Sequence, residues 1–317
     1  MEYILVTHKY NVLKQIGEGN FGKIFKGENI STNELVAIKV EPIEANFKML
    51  KNEAIIYQHL LHSYGMPTLK WFGKDERNYY LVITLLGKSL EHHIQQKGKF
   101  SIKLTLQIGV QVINLLKTIH DKGLIHRDIK PENIMRSEKG DIKLADLGIA
   151  KREDADFQNT MANTPLGTPY YMSPEQASDA STVDCRTDIY SLGATLYYLL
   201  TGTYPFNAKT PIQMLMKHIN ESLEEPAKRN PKIPQELSQI ICKMMEKDRE
   251  DRYQNCDELQ QKLLDFEKSY TEEDFSGETL EDIKVNDTKE VYDETLAQTQ
   301  DQSPVMSSTK VPEEQNT

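Results

Sequence analysis

The stretch from residue 10 to residue 84 consists mainly of short β-type runs separated by polar turns. Runs rich in β-branched and aromatic residues predict five strands: "NVLKQIG", "KIFKG", "LVAIKV", "LKWFG" and "YYLVIT". One segment, Phe47–Leu61, instead repeats apolar residues at helical spacing and predicts a helix. We therefore expect a small lobe built on a β-sheet with a single helix.

The pattern changes after "LLGKSL", where long helical periods begin. The segments "SIKLTLQIGVQVINLLKTIH" and "DIYSLGATLYYLLTG" predict two long helices. The second contains the longest apolar run, Ile189–Leu200, which is shorter than the roughly 20 residues of a membrane span and predicts a buried helix. The expected fold class is α+β, with a small β-rich N-lobe and a larger helical C-lobe. A cleft between two such lobes is a suitable place for a nucleotide.

The composition is that of a globular protein, but the charge is unevenly distributed. Of 317 residues, 38% are hydrophobic and 27% are charged, which is enough apolar surface for a sizeable core. The segment 267–317 holds 14 acidic residues and 4 lysines, which accounts for the whole net charge of −10. Because this segment is also poor in apolar residues, we expect a disordered acidic tail. The neutral remainder of the chain argues against a nucleic-acid partner.

Neither a targeting segment nor a cysteine-based site is predicted. The start, "MEYILVTHKY", has no basic region followed by a long apolar core, so no secretory signal is expected. The three cysteines, Cys185, Cys242 and Cys256, are widely spaced without a CxxC pair, which disfavours disulfides and zinc. We expect a reducing, cytoplasmic location and no association with membranes.

The segment "GEGNFG" (Gly17–Gly22) has GxGxxG spacing, which by itself has two interpretations. A dinucleotide-binding fold needs a helix directly after these glycines, whereas "KIFKG" predicts another strand. The glycines are therefore expected in a strand–turn–strand, where the missing Cβ lets backbone N–H groups approach phosphates. An ordinary glycine-rich hairpin remains the alternative.

A lysine inside an apolar strand needs an acidic partner. Lys39 lies within "VAIKV", and an ammonium group among apolar residues is costly unless it is neutralised. Glu53 is the acidic residue in the middle of the predicted helix, and Ala54, Ile55 and Ile56 beside it indicate a buried face. We expect a Lys39–Glu53 ion pair that holds Lys39 on the α- and β-phosphates of a nucleotide. The alternative is a lysine at a sheet edge whose ammonium group reaches solvent.

The segment "LIHRDIKPENIM" (Leu124–Met135) contains the residue types of a phosphoryl-transfer site. Asp128 is the candidate that orients the attacking hydroxyl and accepts its proton, and Lys130 is the candidate that neutralises charge on the transferred group. Asn133 and Asp146, the latter in "KLADLGIAK", are the candidate Mg²⁺ ligands. Taken alone, an Asp before Leu-Gly is more often a turn residue, but its position behind HRDxKxxN favours a ligand.

Five motifs in order, "IGEGNFGKI", "AIKV", "HRDIKPEN", "DLG" and "GTPYYMSPE", resemble the signature set of eukaryotic-type protein kinases. The resemblance covers roughly Tyr10–Phe266 and implies a kinase domain over 10–266, between an N-terminal extension, 1–9, and the tail, 267–317. It implies the bilobal kinase fold, ATP and Mg²⁺ as cofactors, and transfer of the γ-phosphate to a protein hydroxyl. The nucleotide-binding residues that it implies are Ile16, Gly17, Glu18, Gly19, Asn20, Phe21, Gly22, Lys23, Ile24, Ala37, Lys39, Ile83, Thr84 and Leu86.

The same resemblance indicates which hydroxyl is phosphorylated. "KPEN" after Asp128 and "GTPYY" before "SPE" are similar to Ser/Thr kinases rather than tyrosine kinases. In such kinases, the counterparts of Lys130 and Thr168 would meet near Asp128. The implied partners are therefore proteins with accessible Ser or Thr residues.

Outside the transfer site, the resemblance implies two structural contacts. Arg252 of "KDREDRY" would pair with Glu175, and Asp188 of "DIYSLG" would hold the catalytic loop. Two positions depart from the family pattern, Leu147 for the usual Phe of DFG and Ile24 for the usual Val. Both keep an apolar side chain, so neither argues against activity.

Two halves of the chain resemble different kinase subfamilies. "GMPTLKWFG" and "LLGKSLEHHI" resemble the N-lobe and hinge of casein kinase I, in which Ile83 would be the gatekeeper and Thr84–Leu86 would face adenine. Casein kinase I lacks an APE-type motif, whereas "MSPEQA" and "DCRTDIYSLGATLYYLLTGTYPF" resemble general and bacterial-type Ser/Thr kinases. The acidic or primed substrates of casein kinase I are therefore not carried over to this chain.

The activation segment, from Asp146 to Glu175, contains two candidate phosphorylation sites, Thr160 and Thr164. Arg127 precedes the catalytic Asp, so a phosphate on this segment would pair with it and order the loop. The alternative is an ordinary solvated threonine at both positions. The tail, which is rich in Ser and Thr, is either a solvated extension or a substrate for autophosphorylation.

Two other functions compete with an active kinase. A pseudokinase would bind ATP as a scaffold, but such proteins usually lack the lysine, an aspartate or the glycines, all of which are present here. Small-molecule phosphotransferases of the aminoglycoside or choline type also use an Asp-plus-Asn loop, but they lack the Pro-Glu anchor that ends "GTPYYMSPE". The sequence thus favours an active Ser/Thr protein kinase and leaves the oligomeric state open.

Overall fold

The computed structural model describes residues 5–6, 8–19, 22–45, 49–61, 63–137, 140–152, 168–269 and 279–280. All of these residues belong to one compact unit, Met1–Val285. Thr160 and Thr164 of the activation segment lie outside the described residues, as do Asn20 and Phe21 of the glycine-rich turn.

The β-structure consists of one large sheet and two short ladders. Its strands are β1 (Leu5–Val6), β2 (Tyr10–Gly19), β3 (Gly22–Asn29), β4 (Leu35–Pro42), β5 (Leu69–Lys74), β6 (Asn78–Thr84), β7 (Leu124–Ile125), β8 (Ile134–Arg136), β9 (Ile142–Leu144) and β10 (Lys151–Arg152). The N-lobe sheet has the order β1-β2-β3-β4-β6-β5, and all of its pairs are antiparallel. Strands β7 and β10 form one ladder of the C-lobe, and β8 and β9 form the other.

Apart from one helix in the N-lobe, the described helices belong to the C-lobe. They are α1 (Met49–His59), α2 (Leu90–Lys97), α3 (Ile102–His120), α4 (Pro174–Ser178), α5 (Arg186–Thr201), α6 (Pro211–Asn220), α7 (Pro226–Arg229), α8 (Gln235–Met244) and α9 (Cys256–Ser269). Short 3₁₀ turns cover Ala180–Thr182 and Arg249–Asp251. Within the described ranges, none of the helices is long and apolar enough to cross a membrane. The α+β bilobal fold predicted from the sequence is confirmed.

An apolar cluster holds one face of the N-lobe sheet. Its buried members are Tyr10, Val36, Ile38, Tyr80 and Val82. Two register shifts in the β2–β3 pairing mark irregularities that bend this hairpin. Successive side chains of a strand point to opposite faces of the sheet. Because Ile38 belongs to this cluster, Lys39 lies on the opposite face of β4 and points toward α1.

The buried face of helix α1 contains both apolar residues and a glutamate. Ala54 and Ile56 are each 2% exposed, and Glu53 is 1% exposed. Ile55, however, is 43% exposed, so the prediction that it shares the buried face is wrong. A helix turns by about 100° per residue, so residues 54 to 56 cannot all face the same side.

Helix α5 is the buried centre of the C-lobe. Its residues from Thr187 to Leu200 are all buried except Tyr198, which confirms the buried helix predicted for this apolar run. The helix ends at Gly202, whose φ of 72° lies in the left-handed region that favours glycine. Because it is buried, α5 can position the loop after β7, to which its residue Asp188 is hydrogen-bonded.

Both ends of the described part contain structure that the sequence did not predict. Strand β1 lies in the assumed N-terminal extension and pairs with β2. Helix α9 continues to Ser269, three residues into the segment assigned to the tail. Leu280 is buried, and its N–H donates to Oε1 of Gln107 at 3.0 Å. Two-residue strands and single buried leucines have no periodicity, so the sequence pattern could not reveal them.

Candidate active site

Lys39, Glu53 and Asp146 meet where β4, α1 and the segment after β9 come together. Lys39 Nζ lies 2.7 Å from Oε1 of Glu53 and 3.0 Å from Oδ1 of Asp146. The side chain of Glu53 is 2% exposed, whereas that of Asp146 is 45% exposed. Asp146 has a φ of 63°, a left-handed conformation that Asp adopts more readily than most residues. The ion pair expected between Lys39 and Glu53 is present, and Asp146 joins it.

The charges of this triad reinforce each other. Burial by itself would lower the pKa of Lys39, but Asp146 and Glu53 outweigh it and hold that pKa above its usual range. Lys39 in turn lowers the pKa of Asp146, although burial opposes this. Burial raises the pKa of Glu53 against the attraction of Lys39. At neutral pH, Lys39 is therefore a cation and Asp146 an anion.

Two further side chains fix α1 against its neighbours. Glu41 is fully buried, and its Oε1 accepts hydrogen bonds from the backbone N–H groups of Met49 (2.8 Å) and Leu50 (3.4 Å). These groups lie in the first turn of the helix, where a carboxylate is favourable. Asn52 Nδ2 donates to the carbonyl of Gly148 at 3.2 Å, which ties α1 to the segment after β9. Both contacts hold the helix that carries Glu53.

Asp128, Lys130 and Asn133 form one cluster in the loop between β7 and β8. Oδ2 of Asp128 accepts a hydrogen bond from Asn133 Nδ2 at 2.8 Å and lies 2.9 Å from Lys130 Nζ. Asn133 Nδ2 also donates to the main-chain oxygen of Asp128 at 2.8 Å. Lys130 Nζ donates to Thr168 Oγ1 at 2.7 Å, so the expected meeting of these residues is observed. Because the amide nitrogen of Asn133 is used within the loop, its oxygen remains as the acceptor for another group.

Asp188 of α5 holds the backbone of this loop. Its fully buried carboxylate accepts the N–H groups of His126 at 2.9 Å and of Arg127 at 2.8 Å. His120 Nε2 lies 2.8 Å from Oδ2 of Asp188. Burial by itself would raise the pKa of Asp188, but its hydrogen bonds and the neighbouring histidines lower it. The two backbone hydrogen bonds offset the cost of the positive φ, 70°, at Arg127.

The end of the activation segment is anchored to the C-lobe at two points. Arg252 donates from its two terminal nitrogens to Oε1 and Oε2 of Glu175 at 2.7 and 2.8 Å. Gln176 Nε2 donates to the carbonyl of Arg127 at 2.8 Å. Nε of Arg127 is buried and has no hydrogen-bond partner among the residues that the structure describes. This guanidinium group therefore retains an unsatisfied donor.

The glycines of the glycine-rich segment lie at the adjoining ends of two paired strands, and no helix follows them, as the sequence predicts. Strands β2 and β3 pair up to Gly19 and Gly22, and Gly17 lies opposite Ile24. Gly22 has a φ of 153°, and a Cβ at this position would overlap the carbonyl oxygen of Val40. Gly22 is therefore required by both its conformation and the close approach of β4.

A pocket of about 270 Å³ lies between these groups. Its lining includes nine residues singled out from the sequence: Gly22, Lys23, Ile24, Lys39, Glu53, Asp128, Lys130, Asp146 and Thr168. Five others were missed: Val40, Met49, Leu50, Gly148 and Ile149. Met49 and Leu50 precede Glu53 by four and three residues, so helical spacing was the available signal for them.

The remaining predicted nucleotide-binding residues do not line this pocket. Among the residues whose surroundings the structure describes, they are Ile16, Gly17, Glu18, Ala37, Ile83, Thr84 and Leu86. Gly19, Asn20 and Phe21 stay predictions. Ala37 pairs with Ile83 across β4 and β6, and both are buried, as is Leu86. The N–H of Thr84 donates to the carbonyl of Thr68 at 3.0 Å. That amide is engaged, so an adenine contact at 84–86 depends on other backbone groups.

The sequence of this chain is similar to those of known protein kinases. The family model of the protein kinase domain matches residues 10–264. A probable serine/threonine-protein kinase of Clostridium perfringens is 36% identical over 271 residues, which cover 83% of this chain and 38% of that protein. Serine/threonine-protein kinase PrkC of Bacillus subtilis is 31% identical over 261 residues, 80% of this chain and 40% of that protein. The probable serine/threonine-protein kinase PknB of Lactococcus lactis is 31% identical over 264 residues, 80% of this chain and 41% of that protein.

The chain thus spans about two fifths of the length of these curated relatives. All three are bacterial and are named as serine/threonine-protein kinases, in agreement with the resemblance of the C-lobe to bacterial-type kinases. The matched range includes the Lys39 triad, the Asp128 loop and the anchored end of the activation segment. The chain belongs to the protein kinase family.

Proposed function

We propose that this chain is a Ser/Thr protein kinase that transfers the γ-phosphate of ATP to Ser or Thr hydroxyls of proteins. The observation that carries the proposal is that one pocket is lined by the Lys39–Glu53–Asp146 triad and also by Asp128 and Lys130. Phosphoryl transfer uses a cation that binds phosphates, here Lys39, and a carboxylate that binds the metal ion, here Asp146. It also uses a carboxylate that accepts the proton of the attacking hydroxyl group, here Asp128. The names of the bacterial relatives support Ser and Thr as acceptors.

In this mechanism, Asp128 orients the acceptor hydroxyl and takes its proton. Its Oδ2 is fixed by Lys130 and Asn133, so little reorganisation is needed when the hydroxyl arrives. Lys130 neutralises charge on the transferred phosphoryl group and also contacts Thr168. Since Thr168 belongs to the activation segment, this contact makes the acceptor site depend on the position of that segment. Catalysis comes mainly from positioning and charge neutralisation.

Lys39 binds the α- and β-phosphates in the proposed site. Its raised pKa keeps it protonated, and Glu53 fixes the direction of its side chain. Glu41 and Asn52 act on this lysine indirectly, because they hold the helix that carries Glu53. A shift of α1 would therefore weaken phosphate binding without any change in the catalytic loop.

The oxygen donors at the site suit Mg²⁺. Asn133 offers an amide oxygen, and Asp146 offers a half-exposed carboxylate that is ionised at neutral pH. Mg²⁺ prefers such hard oxygen ligands and is usually held by one or two protein groups together with substrate phosphates. When bound, Mg²⁺ would supply positive charge that neutralises the phosphate groups of the nucleotide. Asn133 and Asp146 are the residues that would hold it.

Phosphorylation of the activation segment is the proposed switch. The buried Nε of Arg127 still lacks an acceptor within the described ranges, and a phosphate is a strong one. Thr160 and Thr164 remain the candidate sites. The double variant Thr160→Ala/Thr164→Ala should transfer phosphate more slowly than wild type. An unchanged rate of phosphate transfer would show that neither threonine is part of such a switch.

Several properties remain predictions from the sequence. They are the cytoplasmic location, the lack of a nucleic-acid partner and the disorder and autophosphorylation of the tail. The resemblance of the hinge to casein kinase I belongs with them, as do the domain boundaries at 10 and 266. Deletion of the tail should lower self-phosphorylation if the tail is a substrate.

The first test is transfer of labelled γ-phosphate from ATP with Mg²⁺ to casein and to myelin basic protein, with Asp128→Asn as the matched control. We expect incorporation on Ser or Thr that disappears in the variant. ATP binding without transfer by the wild type would overturn the proposal and favour a pseudokinase scaffold.

A further inference from the structure

A buried thiol at the start of α9 lies next to the histidine that ends α3. Cys256 is 4% exposed, and its Sγ lies 3.4 Å from Nδ1 of His120, within hydrogen-bond reach of a sulfur atom. The other ring nitrogen, Nε2, lies 2.8 Å from Oδ2 of Asp188. These two contacts join α9, α3 and α5 through a chain of three side chains, Cys256–His120–Asp188.

The neighbours of His120 determine which of its ring nitrogens carries the proton. Although burial opposes it, hydrogen bonds lower the pKa of Asp188, so its carboxylate is ionised and can only accept. Nε2 of His120 must therefore donate to Asp188, which in a neutral imidazole leaves Nδ1 as an acceptor. The thiol of Cys256 is placed to satisfy that acceptor.

The thiol of Cys256 keeps its proton and can therefore act as this donor. Burial raises the pKa of Cys256, and the carboxylates of Asp188 and Asp257 raise it further. Cys185 acts in the same direction and Lys117 in the opposite one. A Cys–His–Asp arrangement can also activate a thiolate nucleophile, but that requires a lowered pKa and access to a substrate. The buried thiol of Cys256 has neither, so it is a hydrogen-bond donor rather than a nucleophile.

The contact between His120 and Asp188 leads directly to the catalytic loop. Oδ2 of Asp188 receives both Nε2 of His120 and the N–H of His126, so the orientation of the imidazole ring affects where this oxygen lies. Oδ1 receives the N–H of Arg127, whose φ of 70° must be maintained by surrounding contacts. The next residue is Asp128, which would take the proton of the acceptor hydroxyl.

We propose that Cys256 is a positioning residue for phosphoryl transfer. Its S–H donates to Nδ1 of His120 and thereby fixes the ring that supports Asp188 and the catalytic loop. Without this donor, Nδ1 would be a buried acceptor without a partner, and a single hydrogen bond would orient the ring. The kinetic consequence rests on the proposed kinase function, whereas the hydrogen bond and its effect on the loop do not.

Two variants separate the donor from the volume of the side chain. Cys256→Ser keeps a donor but is smaller than cysteine, whereas Cys256→Val fills the site without a donor. We expect Cys256→Val to lower kcat about tenfold, because an unpaired buried polar group is costly. KM for ATP should stay within about twofold, since the proposed ATP contacts are elsewhere.

The other variants in this series are the controls for the donor. Cys256→Ser should keep at least about half of the wild-type kcat, because its hydroxyl can donate to Nδ1. Cys256→Ala, which has neither donor nor volume, should lose activity as Cys256→Val does. Cys242→Ala removes a half-buried thiol on α8, outside this chain of contacts, and should keep the wild-type kcat.

Amide hydrogen exchange followed by NMR gives a readout that needs no turnover. The N–H groups of His126 and Arg127 should exchange at least about tenfold faster in Cys256→Val than in wild type, and at near wild-type rates in Cys256→Ser. Wild-type kcat and exchange in Cys256→Val, or equal losses in Cys256→Ser and Cys256→Val, would overturn this inference. If exchange distinguishes the two variants but the wild type transfers no phosphate, the positioning contact stands and the proposed kinase function fails.

Discussion

Removal of one partner of the Glu175–Arg252 ion pair should destabilise the C-lobe strongly. The side chain of Arg252 is 0% exposed and that of Glu175 is 10% exposed. Arg252 donates to both oxygens of Glu175 and to three main-chain carbonyls around it. In Glu175→Gln the guanidinium group would lose this counter-charge while it stays buried.

The expected cost follows from the contacts that remain. Removal of one partner of a buried ion pair typically costs about 3–5 kcal/mol, because the other charge is left uncompensated. The three carbonyl acceptors still bind Arg252 in Glu175→Gln, so we expect the lower end, about 3 kcal/mol. Glu175→Gln/Arg252→Met removes both charges, and it should cost less than the sum of the single variants by about 2 kcal/mol.

Urea unfolding can assign this loss to one lobe. Far-UV circular dichroism mainly follows the helical C-lobe, whereas the fluorescence of Trp71, the single tryptophan of the chain, follows β5 in the N-lobe. We expect the circular dichroism transition to move to lower urea in Glu175→Gln. A cost below about 1 kcal/mol, or strict additivity in the double variant, would refute the reasoning.

The same pair should make stability sensitive to acid. Burial by itself would raise the pKa of Glu175, but Arg252 outweighs it and lowers that pKa below the usual 4.5. The contribution is therefore complete above about pH 4.5 and is lost as the pH falls through the folded-state pKa. Wild type should lose more stability than the double variant below pH 4.5. Equal slopes would contradict the lowered pKa.

Three further predictions concern the site and the C-lobe core. Glu41→Ala removes the acceptor at the start of α1 and should cost about 1–2 kcal/mol by circular dichroism and raise KM for ATP, whereas Glu41→Gln, which keeps an oxygen, should do less. Lys39→Met should lower kcat/KM for ATP at least about 100-fold, and near-normal turnover would exclude Lys39 as the phosphate ligand. Burial lowers the pKa of His218 to about 3, so its contribution to stability is complete above pH 6.5 and falls as the pH drops from 6.5 toward 3. His218→Gln should flatten the loss of stability in that window, and an unchanged pH profile would show that His218 is not its source.

Much of the fold could be predicted because periodicity is a local property. Strands β2 to β6 and helices α1, α3 and α5 have apolar residues at strand or helix spacing along consecutive positions. Strands β7 to β10 and helices α4 and α7 have at most five residues, too few to show a period. They exist because neighbouring elements supply their hydrogen bonds and contacts.

The candidate site could be predicted only where a motif contains its residues. Lys39, Asp128 and Asp146 stand in recognisable segments, but Asn52 and Glu41 do not, although both hold α1. Lys39 and Glu41 are two residues apart and share a face of β4, so the strand meets the helix at its start and at its middle. The sequence predicts that Lys39 faces this helix, but it gives no signal that Glu41 accepts hydrogen bonds from the first turn of the same helix.

The sequence by itself determined the lobes, the main strands and helices and the set of candidate transfer residues, since each depends on residue types at short spacing. The Lys39–Glu53 pair was also predicted, whereas only the tertiary structure shows that Asp146 joins it. Lys39 and Asp146 are 107 residues apart, yet they lie within 3.0 Å. Glu175 and Arg252 are 77 residues apart, yet they form a buried ion pair. Local spacing carries no information about such contacts, because they arise from the packing of whole elements, which also decides where burial leaves a charge or hydroxyl without a partner.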